Sequence, residues 1–315
     1  MAPMRIAILD DYQNVSQQFA DWSGLAADHE ITVFTAPLSD RTSQLLPFDI
    51  ICAMRERTLL DRALIEALPN LKLIVTTGMR NASIDGKACA ERGIVVSGTE
   101  GHGQAAAELT FALVMALARV LPQEIASMRA GHWQQSVGRA LYESTLGIVG
   151  LGRIGAQMAG FAKAFGMNVL AWSQNLTQER CEEVGVAYAS RSDLLELSDF
   201  VTIHLKLSDR TVGFFGADDF AAMKPDAYLI NTSRGPIVDQ DALIDAVTTG
   251  QIAGAALDVF DEEPLPADHP LLAAPNLLLT PHIGYVTRES YEVFYRQTVE
   301  AVEAFLAGKP VRVIN

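Results

Sequence analysis

Short apolar runs alternate with amphipathic stretches from one end of this chain to the other. Short apolar runs bounded by polar or glycine positions predict strands at 5–9, 30–34, 50–52, 72–76 and 94–97. A second series follows at 146–149, 168–172, 200–204, 227–231, 254–258 and 277–280. Between them the apolar spacing turns helical, at 59–68, 154–165 and 239–248. Nearly continuous apolar strands separated by helices argue for α/β layers around parallel sheets. The stretch 104–121 reads as one long helix whose only charges are Glu108 and Arg119. Such a helix must be covered on most sides, so the expectation places it between domains or subunits. A final helix at 289–307 begins after the second sheet is complete, and should return to the first domain.

At 315 residues the chain is long enough for two domains. The expected division is a discontinuous first domain, 1–102 plus 285–315, with a second domain, 103–284, inserted in it. The formal net charge of −14 argues against nucleic acid and anionic membrane as partners. Cys52, Cys89 and Cys181 are widely spaced and show no paired pattern, so buried thiols are expected rather than a disulfide or a metal site. Residues 1–5 lead straight into a strand without the apolar length of a signal peptide, and no run of about eighteen apolar residues suits a membrane span. The expectation is a cytoplasmic enzyme.

The most informative motif is Gly150-Leu151-Gly152-Arg153-Ile154-Gly155, set between the strand at 146–149 and a helical stretch. Gly150 permits a tight strand-to-helix turn, and Gly152 lets the chain approach a pyrophosphate. Gly155 allows close helix–strand packing. The helix N-terminus would offer free N–H groups and positive dipole to the phosphates.

Open α/β sheets bind ligands beyond the carboxyl ends of their strands. Three polar residues sit at such ends here. Arg234 follows the strand at 227–231, Glu263 follows the one at 254–258, and His282 follows the one at 277–280. Arginine grips a carboxylate through two parallel bonds, histidine moves protons near neutrality, and glutamate steadies a charged imidazole. Singly, each has an ordinary reading: a turn arginine, a loop histidine, one carboxylate of the acidic run 261–263. Together at three strand ends they suggest a site. Among the other histidines, His29, His132 and His269 suit surface or packing roles, and His204 suits the cofactor cleft. His102, between two glycines at an expected hinge, suits either the active site or a flexible loop.

With these motifs in order, the chain resembles the D-isomer-specific 2-hydroxyacid dehydrogenases. The resemblance rests on residues 150–155, Asn231-Thr232-Ser233-Arg234-Gly235, Asp258-Val259-Phe260-Asp261-Glu262-Glu263-Pro264 and Thr280-Pro281-His282-Ile283-Gly284, with 71–78 and 107–109 also matching. It implies a Rossmann NAD(P) domain inserted in a flavodoxin-like substrate domain, hydride transfer between the nicotinamide and a small 2-oxo or 2-hydroxy acid, and a homodimer. By resemblance Arg234 binds the substrate carboxylate and carbonyl, His282 is the acid/base, and Glu263 is its carboxylate partner. The implied cofactor contacts are Gly150, Gly152, Arg153, Ile154, Gly155, Ser173, Thr232 and Asp258, the last holding the nicotinamide carboxamide. Gly78 and Met79 would offer backbone N–H groups to the substrate carboxylate. No metal is implied.

Several positions depart from the family pattern. The end of the second Rossmann strand carries Trp172-Ser173-Gln174-Asn175 where NAD-specific members place aspartate, which leaves NAD and NADP open with a slight lean to NAD. Arg80 and Arg55 are either solvated residues or selectors of a second acidic group. Tyr285 is bulkier than the small residue common there and would narrow the pocket. Lys206 replaces a proline of the usual His-x-Pro pattern, and the sequence offers no account of it. The leading expectation is a 2-oxoacid reductase, with phosphoglycerate dehydrogenase as a near alternative and a dinucleotide-sensing corepressor as the non-enzymatic one.

Overall fold

A computed structural model describes residues 3–101 and 103–315 of the chain. It divides into two compact units, Met1–His102 with Val286–Asn315, and Gly103–Tyr285. His102, one of the histidines considered above, lies outside the described residues.

The first unit holds a five-stranded sheet of β1 (Arg5–Ile8), β2 (Glu30–Val33), β3 (Ile50–Ala53), β4 (Leu73–Thr76) and β5 (Val95–Gly98). All neighbours are parallel, in the order β2-β1-β3-β4-β5. That is the flavodoxin-like order. Strands β3 and β4 are buried along their whole length, as central parallel strands must be when helices cover both faces. The edge strand β2 is more exposed. The helix Arg288–Leu306 packs on β4 and β5 of this unit, and the segment after it adds an antiparallel bridge from Val313 to Ser97.

The second unit holds seven strands: β6 (Thr145–Val149), β7 (Asn168–Trp172), β8 (Ala187–Tyr188), β9 (Phe200–Ile203), β10 (Tyr228–Asn231), β11 (Gly254–Leu257) and β12 (Leu277–Leu279). Their order is β12-β11-β10-β9-β6-β7-β8, again all parallel. The sheet reverses direction at β6, so the topological switch point lies between β6 and β9. The sequence predicts six of these strands and misses β8. It is only two residues long, both exposed, and it joins the sheet solely by pairing with β7.

The long helix expected over 104–121 is shorter. It runs Ala105–Ala118, and a second helix, Leu121–Arg129, leaves at 63° to it. Pro122 is the cause: within one continuous helix its ring would strike the carbonyl of Ala118. Val120 takes a left-handed φ of 45° at the break, and the freed Ala118 carbonyl accepts the N–H of Arg139 at 2.7 Å. The first helix packs on β10, β11 and the helix Arg153–Ala164 within the second unit's own core. Phe111 meets Phe161 and Phe165 there, with ring centroids 5.7 and 5.0 Å apart. Among the described residues no single helix is long and apolar enough to cross a membrane.

Candidate active site

The turn from β6 into the helix Arg153–Ala164 is shaped by its glycines. Gly150 has φ +106°, and a Cβ there would lie 2.7 Å from the carbonyl oxygen of His204. At Gly155 a Cβ would come within 2.2 Å of the Gly150 carbonyl oxygen, so the helix could not sit this close to β6 with any larger residue. Above Gly152 the space is open. Gly152 also supplies no side-chain cap, which leaves the first N–H groups of a twelve-residue helix available to an acceptor. These features fit a dinucleotide pyrophosphate. Arg153 and Ile154 open that helix, and Arg153 donates to the carbonyl of Gly103 at 3.2 Å.

Beyond the ends of β10, β11 and β12 the structure brings Glu263 and His282 together. Nδ1 of His282 lies 2.5 Å from Oε2 of Glu263. The other oxygen, Oε1, accepts the N–H of Phe260 at 2.9 Å, which fixes the carboxylate. Burial pushes the Glu263 carboxyl up. The His282 hydrogen bond and charge, the Phe260 N–H and the positive charge of Arg234 together outweigh it and hold the group below its ordinary value. Arg234 thus acts electrostatically on the same carboxylate, while its Nη1 donates to the Ser233 carbonyl at 2.7 Å.

His282 itself has φ +51°, a left-handed conformation that costs a non-glycine residue about 1–2 kcal/mol. What holds it there is Asp258, only 1% exposed. Its Oδ1 accepts the Thr280 hydroxyl at 2.6 Å and the Ile283 N–H at 2.8 Å, and its Oδ2 accepts the Gly284 N–H at 2.8 Å. Three of its roughly four acceptor positions are therefore spent on the loop that carries the histidine. Burial nevertheless raises the Asp258 carboxyl above its ordinary value, against the pull of Thr280, Ile283, the His282 charge and Gly284. This clamp was not legible as such in the sequence. Tyr285 closes the other side, its ring edge-on to the imidazole with centroids 5.8 Å apart.

Two further sites on this sheet carry expected cofactor contacts. The Thr232 hydroxyl is 2.6 Å from that of Thr110, tying it to the helix Ala105–Ala118. Ser173 is half-buried at the end of β7, followed by exposed Gln174 and Asn175. His204 follows β9 with its Nε2 enclosed and, among the described residues, without a hydrogen bond, and burial pushes its imidazole down to about 4.

In the first unit, the loop after β4 holds Gly78, Met79 and Arg80. One expectation needs correcting here. The Gly78 N–H is donated to Thr99 Oγ1 at 2.9 Å, so it is not on offer to a carboxylate. Gly78 sits at φ +90°, and in that conformation its N–H is directed at the end of β5. The Met79 N–H makes no hydrogen bond among the described residues. Arg55 covers the same turn: its Nη1 donates to the Thr77 carbonyl at 3.1 Å and occupies the space a Gly78 side chain would need. Arg80 is exposed. Of the remaining histidines, His29 accepts the Met4 N–H, His269 accepts the Leu271 N–H at a helix start, and His132 is exposed. Among the described residues no three His, Cys, Asp or Glu side chains converge as metal ligands would.

The family model for the D-isomer specific 2-hydroxyacid dehydrogenase NAD binding domain matches residues 111–284. A D-3-phosphoglycerate dehydrogenase of Synechocystis is 40% identical over 262 residues, covering 82% of this chain and 47% of that protein. The chain spans about half the length of the phosphoglycerate dehydrogenases it matches. A glyoxylate reductase of Thermococcus litoralis is 40% identical over 266 residues, covering 81% of this chain and 80% of that one. Among solved structures, a phosphoglycerate oxidoreductase from Vibrio cholerae superposes with a TM-score of 0.90 at 39% identity, over 97% of this chain and 99% of the other. The glycine turn, the His282–Glu263 pair and these likenesses agree: the chain belongs to the D-isomer specific 2-hydroxyacid dehydrogenase family.

Proposed function

We propose that this protein is a nicotinamide-dependent oxidoreductase that interconverts a small 2-oxo acid and its D-2-hydroxy acid, working chiefly as the reductase. The observation that carries the reading is the 2.5 Å pairing of His282 with Glu263, in electrostatic reach of Arg234, on a sheet with a dinucleotide-type turn. When bound, the nicotinamide supplies or accepts the hydride at C2 of the substrate. Arg234 grips the carboxylate and the carbonyl oxygen, which fixes C2 in place. Glu263 holds Nδ1 and leaves Nε2 of His282 as the proton-carrying atom. As imidazolium, His282 gives that proton to the oxygen that becomes the hydroxyl. In the reverse direction it takes the proton back. Gly150, Gly152, Arg153, Ile154 and Gly155 hold the pyrophosphate, with Ser173, Thr232 and the remaining acceptor position of Asp258 along the rest of the cofactor. The Gly103–Tyr285 unit is the cofactor domain in this reading, and the other unit, with Met79, binds substrate.

A phosphorylated or second-carboxylate substrate is the next reading. It is favoured by the Arg55 guanidinium lying against the Gly78 turn, and by the phosphoglycerate dehydrogenases among the relatives. A panel of glyoxylate, hydroxypyruvate, pyruvate and 3-phosphohydroxypyruvate with NADH and NADPH tests both. Turnover of one or more 2-oxo acids is the expected result. Stoichiometric nucleotide binding with no turnover on any of them would overturn the enzymatic reading in favour of a nucleotide-sensing module.

The reading extends to a cytoplasmic homodimer that binds neither nucleic acid nor membrane. Three buried free cysteines and the charge of −14 support the location and the absent partners. The dimer is supported by Leu121, Ile125, Met128, Trp133, Val137 and Tyr142, large apolar side chains between 44% and 97% exposed within one stretch of the second unit. Sedimentation equilibrium giving a monomer mass at micromolar concentration would refute it.

A further inference from the structure

The loop after β9 carries a charge that the reaction above does not use. Val149 on β6 pairs with Trp172 of β7 on one side and with Ile203 of β9 on the other. The next residue of each strand, Ser173, Gly150 and His204, therefore leaves the sheet at the same level. With neighbouring strands about 4.8 Å apart, Ser173 and His204 stand about 10 Å from each other across the glycine turn. The β9 loop then folds back over this end of the sheet. Its Leu205 side chain lies 3.2 Å from where a Cβ on Gly150 would be. Farther on, Phe214 stacks on Trp172, with ring centroids 5.7 Å apart and planes 19° from parallel. Residues 204–214 thus connect the end of β9 with the end of β7, and Lys206 stands near the start of that connection.

The charges around this crevice differ in how far they are committed. Arg191 lies over the Phe214 and Trp172 rings, but its guanidinium is held by Asp219 at 2.7 Å and by the Phe214 carbonyl. Lys206 is exposed and enters no ion pair among the described residues. The loop's only other charges, Asp209 and Arg210, cancel. Opposite, Ser173, Gln174 and Asn175 bring no carboxylate, and their side chains make no hydrogen bonds among the described residues.

Resting on the dinucleotide reading, we propose that Lys206 recognises the 2′-phosphate of a phosphorylated dinucleotide and makes NADP the favoured cofactor. The pyrophosphate belongs to the open space above Gly152, which directs the adenosine ribose toward the end of β7. A carboxylate at that strand end would repel a 2′-phosphate, and none is present. A flexible four-carbon stem lets the Lys206 ammonium reach across the mouth of the crevice as a mobile point charge. This accounts for a lysine where the family pattern has proline.

Calorimetry on the whole protein with adenosine 2′,5′-bisphosphate and with 5′-AMP isolates the 2′-phosphate from the nicotinamide half. The parent should bind the bisphosphate at least about tenfold more tightly, as befits one charge-assisted contact, and the margin should shrink as salt is raised. Lys206→Met should abolish the margin with no change in 5′-AMP affinity or in melting temperature, and Lys206→Arg should retain it. Equal binding of the two nucleotides by the parent, or an undiminished margin in Lys206→Met, would overturn the assignment. Failure of the parent to bind either nucleotide would instead overturn the dinucleotide reading beneath it.

Discussion

Replacing Asp258 by asparagine tests how the acid/base histidine is held. The carboxylate accepts three donors from the His282 loop, two of them backbone N–H groups on the residues immediately following the histidine. Asparagine keeps one acceptor oxygen, enough for Thr280 and Ile283. It turns an NH₂ group toward the Gly284 N–H, however, so one buried donor loses its partner. That loss alone costs about 1–3 kcal/mol. Relief comes from the other side of the ledger, because burial raises the Asp258 carboxyl above its ordinary value despite its donors. A group raised in the fold destabilises it at neutral pH, so removing the charge returns part of the loss. The net fall in stability should therefore be at most about 2 kcal/mol. Activity should suffer more, because His282 can then relax from φ +51° and leave the orientation in which Glu263 meets Nδ1. An expected loss of about 10²-fold in kcat corresponds to about 2.7 kcal/mol of transition-state stabilisation. Steady-state kinetics, denaturant unfolding and nucleotide titration on the same preparation separate the effects. A kcat within twofold of the parent would refute the clamp. A loss confined to nucleotide affinity would mean that Asp258 serves the cofactor rather than the loop.

Four further substitutions probe the same reading. His282→Ala should lower 2-oxo acid reduction by about 10²–10⁴-fold while nucleotide binding, followed by titration, persists. Arg234→Lys keeps the charge but loses the planar fork, so kcat/KM should fall at least about tenfold; an unchanged value would count against Arg234 as the substrate anchor. Ser173→Asp should move the NADH/NADPH ratio of kcat/KM toward NADH by about tenfold or more, and no shift would mean that this strand end does not meet the ribose. His204, held down to about 4, stays neutral in the fold while the unfolded chain protonates it below about 6.5. Acidifying from pH 7.5 to 5 should therefore cost about 2 kcal/mol through this residue, and His204→Gln should flatten that part of the pH dependence measured by urea unfolding.

The sheets were legible because parallel strands buried on both faces leave little freedom in composition. The runs at 72–76 and 200–204 each contain a strand whose four residues are all buried. Periodicity fails where pairing or backbone chemistry decides instead. Tyr188 and Ala187 are exposed and join the sheet only through β7. The helix over 104–121 keeps its apolar character across the break, so hydrophobicity alone reads through it. Pro122 was the available signal, since it cannot follow Ala118 by four positions inside a helix.

The site divides along the same line. Residue types announce chemistry, so Arg234, Glu263 and His282 at strand ends could be read from the chain, and the structure brings the last two into contact. Which backbone donors are free is a different question, because it depends on φ and on partners distant in sequence. Gly78 looked available, yet Thr99, twenty-one positions away, takes its N–H. Asp258 gains a role that its motif does not announce. Beside the acceptor position left for a cofactor, three of its bonds hold the loop of His282, a residue in a conformation that an L-residue resists. The backbone at His282 cannot leave this conformation without straining the bonds to Asp258, and Glu263 at Nδ1 fixes the rotation of the imidazole. The fixed direction of its Nε2 proton is then a property of the loop as a whole, and no single residue in the motif encodes it.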